Sequence, residues 1–349
     1  MVTSTARRWR TAAAIAATAT LLAACSGGGS SDVVGGGGAK DAETTLNLIA
    51  YAVPEPGWSK IIPAFVATPA GKDMDVTASY GASGDQSRAV ADGKPADIVN
   101  FSVEPDISRL VKANKVAADW NADVTKGVPF GSVVSLVVRK GNPKNITGWD
   151  DLLAPGIEVV TPSPLSSGSA KWNLLAPYAV KSNGGQDQQA GLDYVSRLVT
   201  EHVKTRPGSG REATDVFLQG TGDVLISYEN EAINIERQGA AQGEVAVEHI
   251  NPVQTLKIEN PVAVVTTSPH LDKATALKNF LFTPEAQKIW AEAGFRPVDP
   301  AVSADFAKDF PAPEKLWTIA DLGGWKTLDS ALFDKETGAI TTIYKKATG

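Results

Sequence analysis

From about residue 46 onward, short β-rich runs alternate with segments whose apolar residues recur at helical spacing. The β-rich runs are 46–50, 75–79, 97–101, 132–139, 157–161, 203–205, 223–227 and 262–266. Helical spacing is clear at Ala274, Leu277 and Leu281, and again in the segment that Thr283 caps and Pro284 begins. Such alternation is typical of an α/β fold. We therefore predict mostly parallel sheet flanked by helices.

The length of the chain indicates two lobes. A chain of 349 residues, 43% of them hydrophobic, buries a substantial core and favours two domains over one. The valine-rich run 132–139 ends in the strong turn sequence 140–143, and we place a crossing between the lobes near it. The prediction is a first lobe made of residues 46–131 and 262–349, and a second lobe made of residues 132–261.

The N-terminal residues are typical of an export signal. Three arginines within residues 7–10 form a positive head, and the apolar stretch 11–24 is too short to span a bilayer comfortably. It ends in Leu-Ala-Ala-Cys25, which resembles the lipobox at which bacterial lipoproteins are cleaved and acylated; the alternative is an ordinary cleavage site followed by an unmodified thiol. We predict a signal peptide over 1–25, acylation of Cys25, and a flexible Gly/Ser-rich tether over 26–45. The mature protein is then anchored by lipid at the extracytoplasmic (periplasmic) face of the cell membrane.

Charge and scarce residue types exclude several classes of function. The 33 basic and 39 acidic residues give a net charge of -6, with no dense basic run outside the leader, so a duplex nucleic-acid partner is not expected. One cysteine and three histidines leave no intramolecular disulfide and little material for a metal cluster. The chain has no Gly-x-Ser-x-Gly elbow and no Walker-type loop, and Gly220-Thr221-Gly222 lacks the remaining glycine of a dinucleotide fingerprint. We expect no metal, no cofactor and no enzymatic activity.

Three Gly/Ser-rich loops lie where a helix is predicted to begin. They are residues 81–88, 163–172 and 206–212. The N-terminus of a helix carries unpaired backbone N–H groups and a partial positive charge, and small side chains let a ligand approach the backbone. Because ligands of α/β sheets bind beyond the carboxyl ends of strands, loops from both lobes can converge on one cleft. The three loops together predict a cradle for an anion.

Each loop also has a purely structural interpretation, which is favoured when the loop is considered alone. Ser83 can donate its hydroxyl to an anion or merely cap its helix. Residues 167–169 fall in the first turn of the helix that follows the second loop, so they can simply begin that helix. In the third loop we favour the Gly210 amide as the donor, and Arg211 either supports the anion from behind the direct contacts or joins an ion-pair network.

Five segments spread over the chain carry a resemblance to a known family. They are residues 80–84, 138–144, 166–173, 222–232 and 295–297. In this order they resemble the sulfate-binding proteins of bacterial sulfate/thiosulfate importers, which are two-lobed periplasmic binding proteins of type II. The resemblance extends from about residue 46 to the region of Trp325. It implies a monomer that holds sulfate or thiosulfate in the cleft between its lobes, closes about a hinge, and delivers the anion to the permease subunits of an ABC importer.

The resemblance also implies which groups bind the anion. In that family neutral donors hold the dehydrated dianion, and the matching groups here are the Ser83 hydroxyl, the Ser167 hydroxyl and amide, the amides of Ala52, Gly168, Ser169 and Gly210, and the Tyr228 side chain. Ala52 stands where the family commonly has aspartate, a change that an amide donor tolerates. Tyr228 stands where the family often has tryptophan, whose indole N–H only donates, whereas a tyrosine hydroxyl donates or accepts. Because a protonated phosphate needs an acceptor, we hypothesise that Tyr228 weakens the rejection of phosphate.

Other functions stay open on the sequence alone. The chain can be a binding protein for another tetrahedral oxyanion, such as phosphate or molybdate. It can also be a hydrolase acting on phosphate or sulfate esters, or a surface lipoprotein without a small ligand. The response of its thermal stability to oxyanions separates these alternatives.

Overall fold

The structure is a computed structural model that describes residues 34–35, 43–243 and 246–348. The predicted signal peptide, Cys25 and most of the predicted tether lie outside these residues. The strands are β1 (Val34–Gly35), β2 (Thr44–Tyr51), β3 (Met74–Gly81), β4 (Ile98–Asn100), β5 (Phe130–Arg139), β6 (Val159–Val160), β7 (Val203–Thr205), β8 (Val224–Tyr228), β9 (Val247–Ile250), β10 (Gln254–Glu259), β11 (Val262–Val264), β12 (Arg296–Pro297) and β13 (Lys315–Trp317). The α-helices are α1 (Glu55–Val66), α2 (Ser83–Ala91), α3 (Glu104–Lys112), α4 (Gly168–Lys181), α5 (Gln188–Arg197), α6 (Gly210–Leu218), α7 (Glu229–Ala241), α8 (Leu271–Phe280), α9 (Pro284–Glu292), α10 (Pro300–Asp305), α11 (Trp325–Leu328) and α12 (Ala339–Thr348). None of these described helices is long and apolar enough to cross a bilayer.

The first sheet has the strand order β1-β3-β2-β4-β11. Its centre is parallel, with Leu48 of β2 opposite Ala78 of β3 and Ile98 of β4. The edge strands β1 and β11 run antiparallel to their neighbours. Helices α1 and α9 cover one face of this sheet, where Trp58 and Trp290 meet edge to face with ring centroids 5.5 Å apart. The carboxyl ends of β2, β3 and β4 therefore point to one edge, toward the cleft.

Helix α1 begins earlier than its apolar spacing indicates. The sequence predicts a helix over 58–67 with a kink or a late start at Pro63, whereas the helix starts at Glu55 and continues through Pro63. Pro56 lies in the first turn, where a helical residue needs no N–H partner. The buried stripe of Trp58, Ile61 and Phe65 against the sheet outweighs the cost of one internal proline.

The second sheet has the strand order β13-β10-β5-β8-β6-β7, with β9 and β12 also paired to β5. Strands β6, β7 and β8 are parallel, as predicted for this lobe. Strand β5 runs antiparallel to its neighbours β8, β9, β10 and β12, so this sheet is mixed. All of β5 except Arg139 is buried, which explains why its sequence is a continuous apolar run.

Strand β5 connects the two lobes. Its first residue, Phe130, packs in the core of the first sheet against Trp290 and Phe295. Its later residues Val134 and Leu136 pack in the core of the second sheet.

The C-terminal residues differ from the predicted lobe boundary. We expected 262–349 to belong to the first lobe, but β13 pairs with β10 of the second sheet. Trp325 packs edge to face on Trp172 of α4 with ring centroids 4.9 Å apart, and Phe333 and Tyr344 lie in the same core. The apolar faces of the last helices cover α4 and α5, so residues from β13 onward pack with the second lobe.

Candidate functional site

The three Gly/Ser-rich loops converge at one place between the lobes. Helices α2, α4 and α6 begin at Ser83, Gly168 and Gly210. A methyl group added to Gly168 would lie 3.2 Å from the Ser83 Cβ, and one added to Gly210 would lie 3.0 Å from the Ser169 Oγ. Three helix N-termini, one from the first lobe and two from the second, therefore meet in the cleft.

The N-termini of α4 and α6 present backbone donors to this place. Gly168 and Ser169 are the first two residues of α4, and Gly210 is the first of α6, so their N–H groups have no partner within the helix. The helix dipoles add partial positive charge there. Ser209 caps α6 by accepting from the Glu212 amide at 3.2 Å, which leaves the Gly210 amide to the cleft.

The capping interpretation of Ser83 does not hold. Ala82, rather than Ser83, occupies the cap position of α2. Ser167 does occupy the cap position of α4, but its side chain makes no capping hydrogen bond. Both serines are nearly fully buried.

Two of the predicted donor amides are already paired in this structure. The Ala52 amide donates to the Gly81 carbonyl at 3.0 Å, and the Ser167 amide donates to the Ser163 carbonyl at 2.9 Å. A backbone N–H carries one proton, so these two amides are not free donors here. The sequence misses this because both partners are set by how neighbouring loops fold.

The Ser83 hydroxyl bonds within the first lobe. It donates to the Asp106 carboxylate at 2.6 Å and accepts from the Ser102 amide at 2.9 Å. Asp106 is buried and also accepts from the Arg109 guanidinium at 2.8 Å, which compensates its charge. Ser83 therefore lies at the predicted site, and its proton must turn away from Asp106 to reach an anion.

The Tyr228 hydroxyl lies at the end of β8 and is fully buried. Its oxygen is 2.8 Å from the Ser102 Oγ, and either hydroxyl can be the donor. Burial raises the pKa of Tyr228, against hydrogen bonding from Ser102, Ser169 and Asn260, so the side chain is a neutral phenol near neutral pH. It can therefore donate to an anion.

Sequence reasoning missed Ser102. This buried serine follows β4 and contacts three of the predicted site residues. Its amide donates to the Ser83 Oγ, its hydroxyl pairs with that of Tyr228, and a methyl group added to Gly168 would lie 2.7 Å from its Cβ. The available signal was its place as a small polar residue at the carboxyl end of the predicted strand 97–101. Like the three loops, that position faces the cleft.

The lobes are closed on each other. The Gly84 amide donates to the Ser166 carbonyl at 3.0 Å, and the Trp172 indole donates to the Ser102 carbonyl at 2.8 Å. Outside these contacts lies a cavity of about 530 Å³ whose basic lining residues are Arg88, Arg109, Lys171, Lys335 and Lys345. The converging helix N-termini are thus shielded from solvent and lie below a partly basic opening.

A buried carboxyl group lies in the second lobe next to Tyr228. Burial raises the pKa of Glu231, which accepts from the Ser227 hydroxyl at 2.8 Å, while the Arg211 guanidinium acts in the opposite direction. Glu212 accepts from the Gly208 amide at 2.7 Å. The charge of Arg211 therefore acts on the buried Glu231.

The donor set suits an anion bound without a metal or a cationic side chain. Backbone amides and hydroxyls converge there, and groups of this kind can hold an unprotonated oxyanion by donation alone. In the ranges that the structure describes, no group of His, Cys, Asp and Glu is arranged to hold a metal ion.

Comparison with known sequences gives consistent matches over most of the chain. A family profile described as bacterial extracellular solute-binding protein matches residues 46–296. A sulfate-binding protein of Synechococcus elongatus is 38% identical over 84% of this chain and 87% of its own length. A thiosulfate-binding protein of Pseudomonas aeruginosa is 32% identical over 88% of this chain and 93% of its own length.

Solved structures agree with these matches. The sulfate-binding protein SubI from Mycobacterium tuberculosis is 71% identical, covers 84% of this chain and all of its own, and superposes with a TM-score of 0.81. A periplasmic thiamin-binding protein, 16% identical, covers 87% of this chain and 96% of its own with a TM-score of 0.65, which shows the shared fold alone.

Proposed function

Because the chain belongs to the bacterial extracellular solute-binding proteins and, within them, to the sulfate-binding proteins, we propose that it captures sulfate for an ABC-type importer. Thiosulfate is the second ligand of this proposal, since a thiosulfate-binding protein is among its relatives. The protein then binds and releases its ligand unchanged and is not an enzyme.

The convergence of two helix N-termini in the closed cleft carries this proposal. The amides of Gly168 and Ser169 begin α4, that of Gly210 begins α6, and the two ends meet beside Ser169. Such ends bind tetrahedral oxyanions through aligned N–H groups. A dianion without protons makes favourable contacts with every donor there.

The proposed binding residues are the amides and hydroxyls that lie where the helix N-termini converge, and the Ser83 proton must turn away from Asp106 to join them. The amides of Gly168, Ser169 and Gly210 are the backbone donors, and the hydroxyls of Ser83, Ser167 and Tyr228 complete the set. Arg211 supports them through Glu231 rather than by direct contact. The amides of Ala52 and Ser167 join only if ligand binding breaks their bonds to Gly81 and Ser163.

The proposed location is the extracytoplasmic face of the membrane. The family description as extracellular and the leader that ends at Cys25 support it. We further propose that Cys25 is acylated, that the protein acts as a monomer, and that the closed form docks to permease subunits.

The thermal stability of the protein with different anions tests the proposed function. A ligand that binds the native state alone stabilises it by about 2.7 kcal/mol at a hundredfold excess over its Kd. We expect sulfate and thiosulfate to raise the Tm, and phosphate, molybdate and tungstate to raise it much less at equal concentration. No shift with any of these anions would refute the proposal, and a larger shift with phosphate would favour a phosphate-binding protein instead.

A further inference from the structure

Ser102 lies at the point where the two lobes meet. Its amide donates to the Ser83 Oγ at 2.9 Å, and its carbonyl accepts from the Trp172 indole at 2.8 Å and from the Asn260 side chain at 3.0 Å. Its Cβ packs against Gly168. Backbone contacts on several sides therefore fix this residue, and only its hydroxyl is left to act on the site.

The Ser102 hydroxyl forms a pair with the Tyr228 hydroxyl, with 2.8 Å between the oxygens. Each carries one proton and can also accept. A phenolic O–H lies close to the plane of its ring and points to one side or the other. If Ser102 donates to Tyr228 it occupies one side, and the Tyr228 proton must then point to the other.

Asn260 provides the competing arrangement. Its Oδ1 is buried and, among the described residues, accepts no hydrogen bond, while its Nδ2 is held by the Ser102 carbonyl. Burial raises the pKa of Tyr228, and Asn260 is among the side chains whose hydrogen bonding opposes that rise, so the amide group lies near the phenol oxygen. If Tyr228 gives its proton to Asn260, a lone pair of the phenol is left for the ligand.

We propose that Ser102 is a positioning residue that determines specificity: its hydroxyl donates to Tyr228 and so directs the Tyr228 proton at the bound anion. This arrangement suits an anion that only accepts, and it leaves the O–H of a protonated anion without a partner. Ser102 thereby counteracts the loss of selectivity that a tyrosine at position 228 would otherwise cause. The inference rests on the proposed function.

Binding of four anions to the wild type and to Ser102→Ala tests the proposal. Sulfate and selenate carry no proton near neutral pH, whereas phosphate and arsenate retain at least one, and each pair contains a smaller and a larger anion. The alanine keeps the Cβ that packs against Gly168, so the variant removes the hydroxyl alone. Titration calorimetry gives the four Kd values for each protein.

We expect Ser102→Ala to improve phosphate and arsenate relative to sulfate and selenate by about tenfold, because Tyr228 becomes free to accept. In a Tyr228→Phe background the same change should leave these ratios unaltered. Ser182→Ala is the control, since Ser182 is an equally buried serine remote from the cleft, whose hydroxyl accepts from the Gly185 amide at 2.9 Å. It should change none of the four values.

The outcomes separate this proposal from the proposed function. If the wild type binds none of the four anions, the proposed function itself is refuted. If the wild type binds sulfate and Ser102→Ala weakens all four anions equally, the hydroxyl has only a structural role and the Ser102 proposal is wrong. Unchanged ratios in the alanine variant contradict it as well.

Discussion

Gly168→Ala places a methyl group where the two lobes approach each other most closely. The added carbon would lie 2.7 Å from the Cβ of Ser102 and 3.2 Å from that of Ser83, both in the opposite lobe. Ordinary contact between carbon atoms requires about 3.5–4.0 Å. The lobes must therefore separate by about 1 Å at this point, because neither neighbouring Cβ can turn away as the end of a flexible side chain would.

The expected result is a loss of affinity without a comparable loss of stability. Accommodating an extra methyl in a closely packed place costs about 1–3 kcal/mol, which corresponds to a roughly 5- to 150-fold rise in the Kd for sulfate. Without ligand the lobes can relieve the contact by opening, so the unliganded Tm should change little. Alanine is favourable within a helix, and Gly168 begins α4 without a positive φ.

Titration calorimetry with sulfate measures the Kd, and thermal unfolding without ligand measures the stability. Gly148→Ala is the matched control, because a methyl group there would meet no atom within 4 Å. An affinity of Gly168→Ala equal to that of the wild type would refute the reasoning that closure brings Gly168 against Ser102. A fall in the Tm of the unliganded protein that corresponds to the same free energy as the loss of affinity would show that opening of the lobes does not relieve the contact.

Three further predictions concern stability, pH and selectivity. Glu229 is fully buried and binds the Arg296 guanidinium through both carboxylate oxygens, at 2.6 and 2.8 Å. Glu229→Gln should therefore lower the free energy of unfolding, measured by urea denaturation, by about 3–5 kcal/mol. An unchanged midpoint of the urea transition would contradict this. Burial alone would lower the pKa of His249, but the hydrogen bond and the charge of Glu236 raise that pKa above its usual value. For Glu236, burial alone would raise the pKa, but the hydrogen bond and the charge of His249 lower it. The histidine then stabilises the fold below about pH 6.5 and loses its effect as pH rises through its raised pKa, and the glutamate stabilises it above about pH 4.3. His249→Gln should therefore cost more stability at about pH 5.5 than at about pH 9, by under about 1 kcal/mol, and an equal cost at both would argue against the pair. In the Ser102→Ala background, where Tyr228 is free to accept, Tyr228→Trp should increase the preference for sulfate over phosphate by about tenfold in paired titrations, since an indole only donates; equal selectivity of the single and double variants would contradict this.

Features set by local sequence were predictable. The run 203–205 coincides with β7, and Thr283 caps α9 by accepting from the Ala286 amide at 3.3 Å. The three loops could be placed at helix N-termini because glycine and serine immediately before an apolar helical stripe favour the start of a helix within the next few residues. These effects act over a few residues, so they can be read from the sequence before the fold is known.

Features set by contacts between distant segments were not predictable. The C-terminal segment was assigned to the wrong side of the cleft because Trp325 and Phe333 suit either core, and only the pairing of β13 with β10 decides between them. The hydrogen bond from the Ala52 amide to the Gly81 carbonyl depends on the path of the chain at the end of the paired strands β2 and β3. Ser102 lacks a motif of its own, and its importance follows from three residues that the fold brings to it.

The position of the bound anion shows whether the converging helix N-termini form the binding site. Selenate has the shape and charge of sulfate, and an anomalous difference map of crystals of the protein grown with selenate locates its selenium atom unambiguously. We expect one strong peak between the N-termini of α4 and α6, within hydrogen-bonding distance of the amides of Gly168, Ser169 and Gly210. Excess sulfate should remove this peak. A peak elsewhere, or no peak in crystals of a protein that binds selenate in solution, would contradict the proposed site.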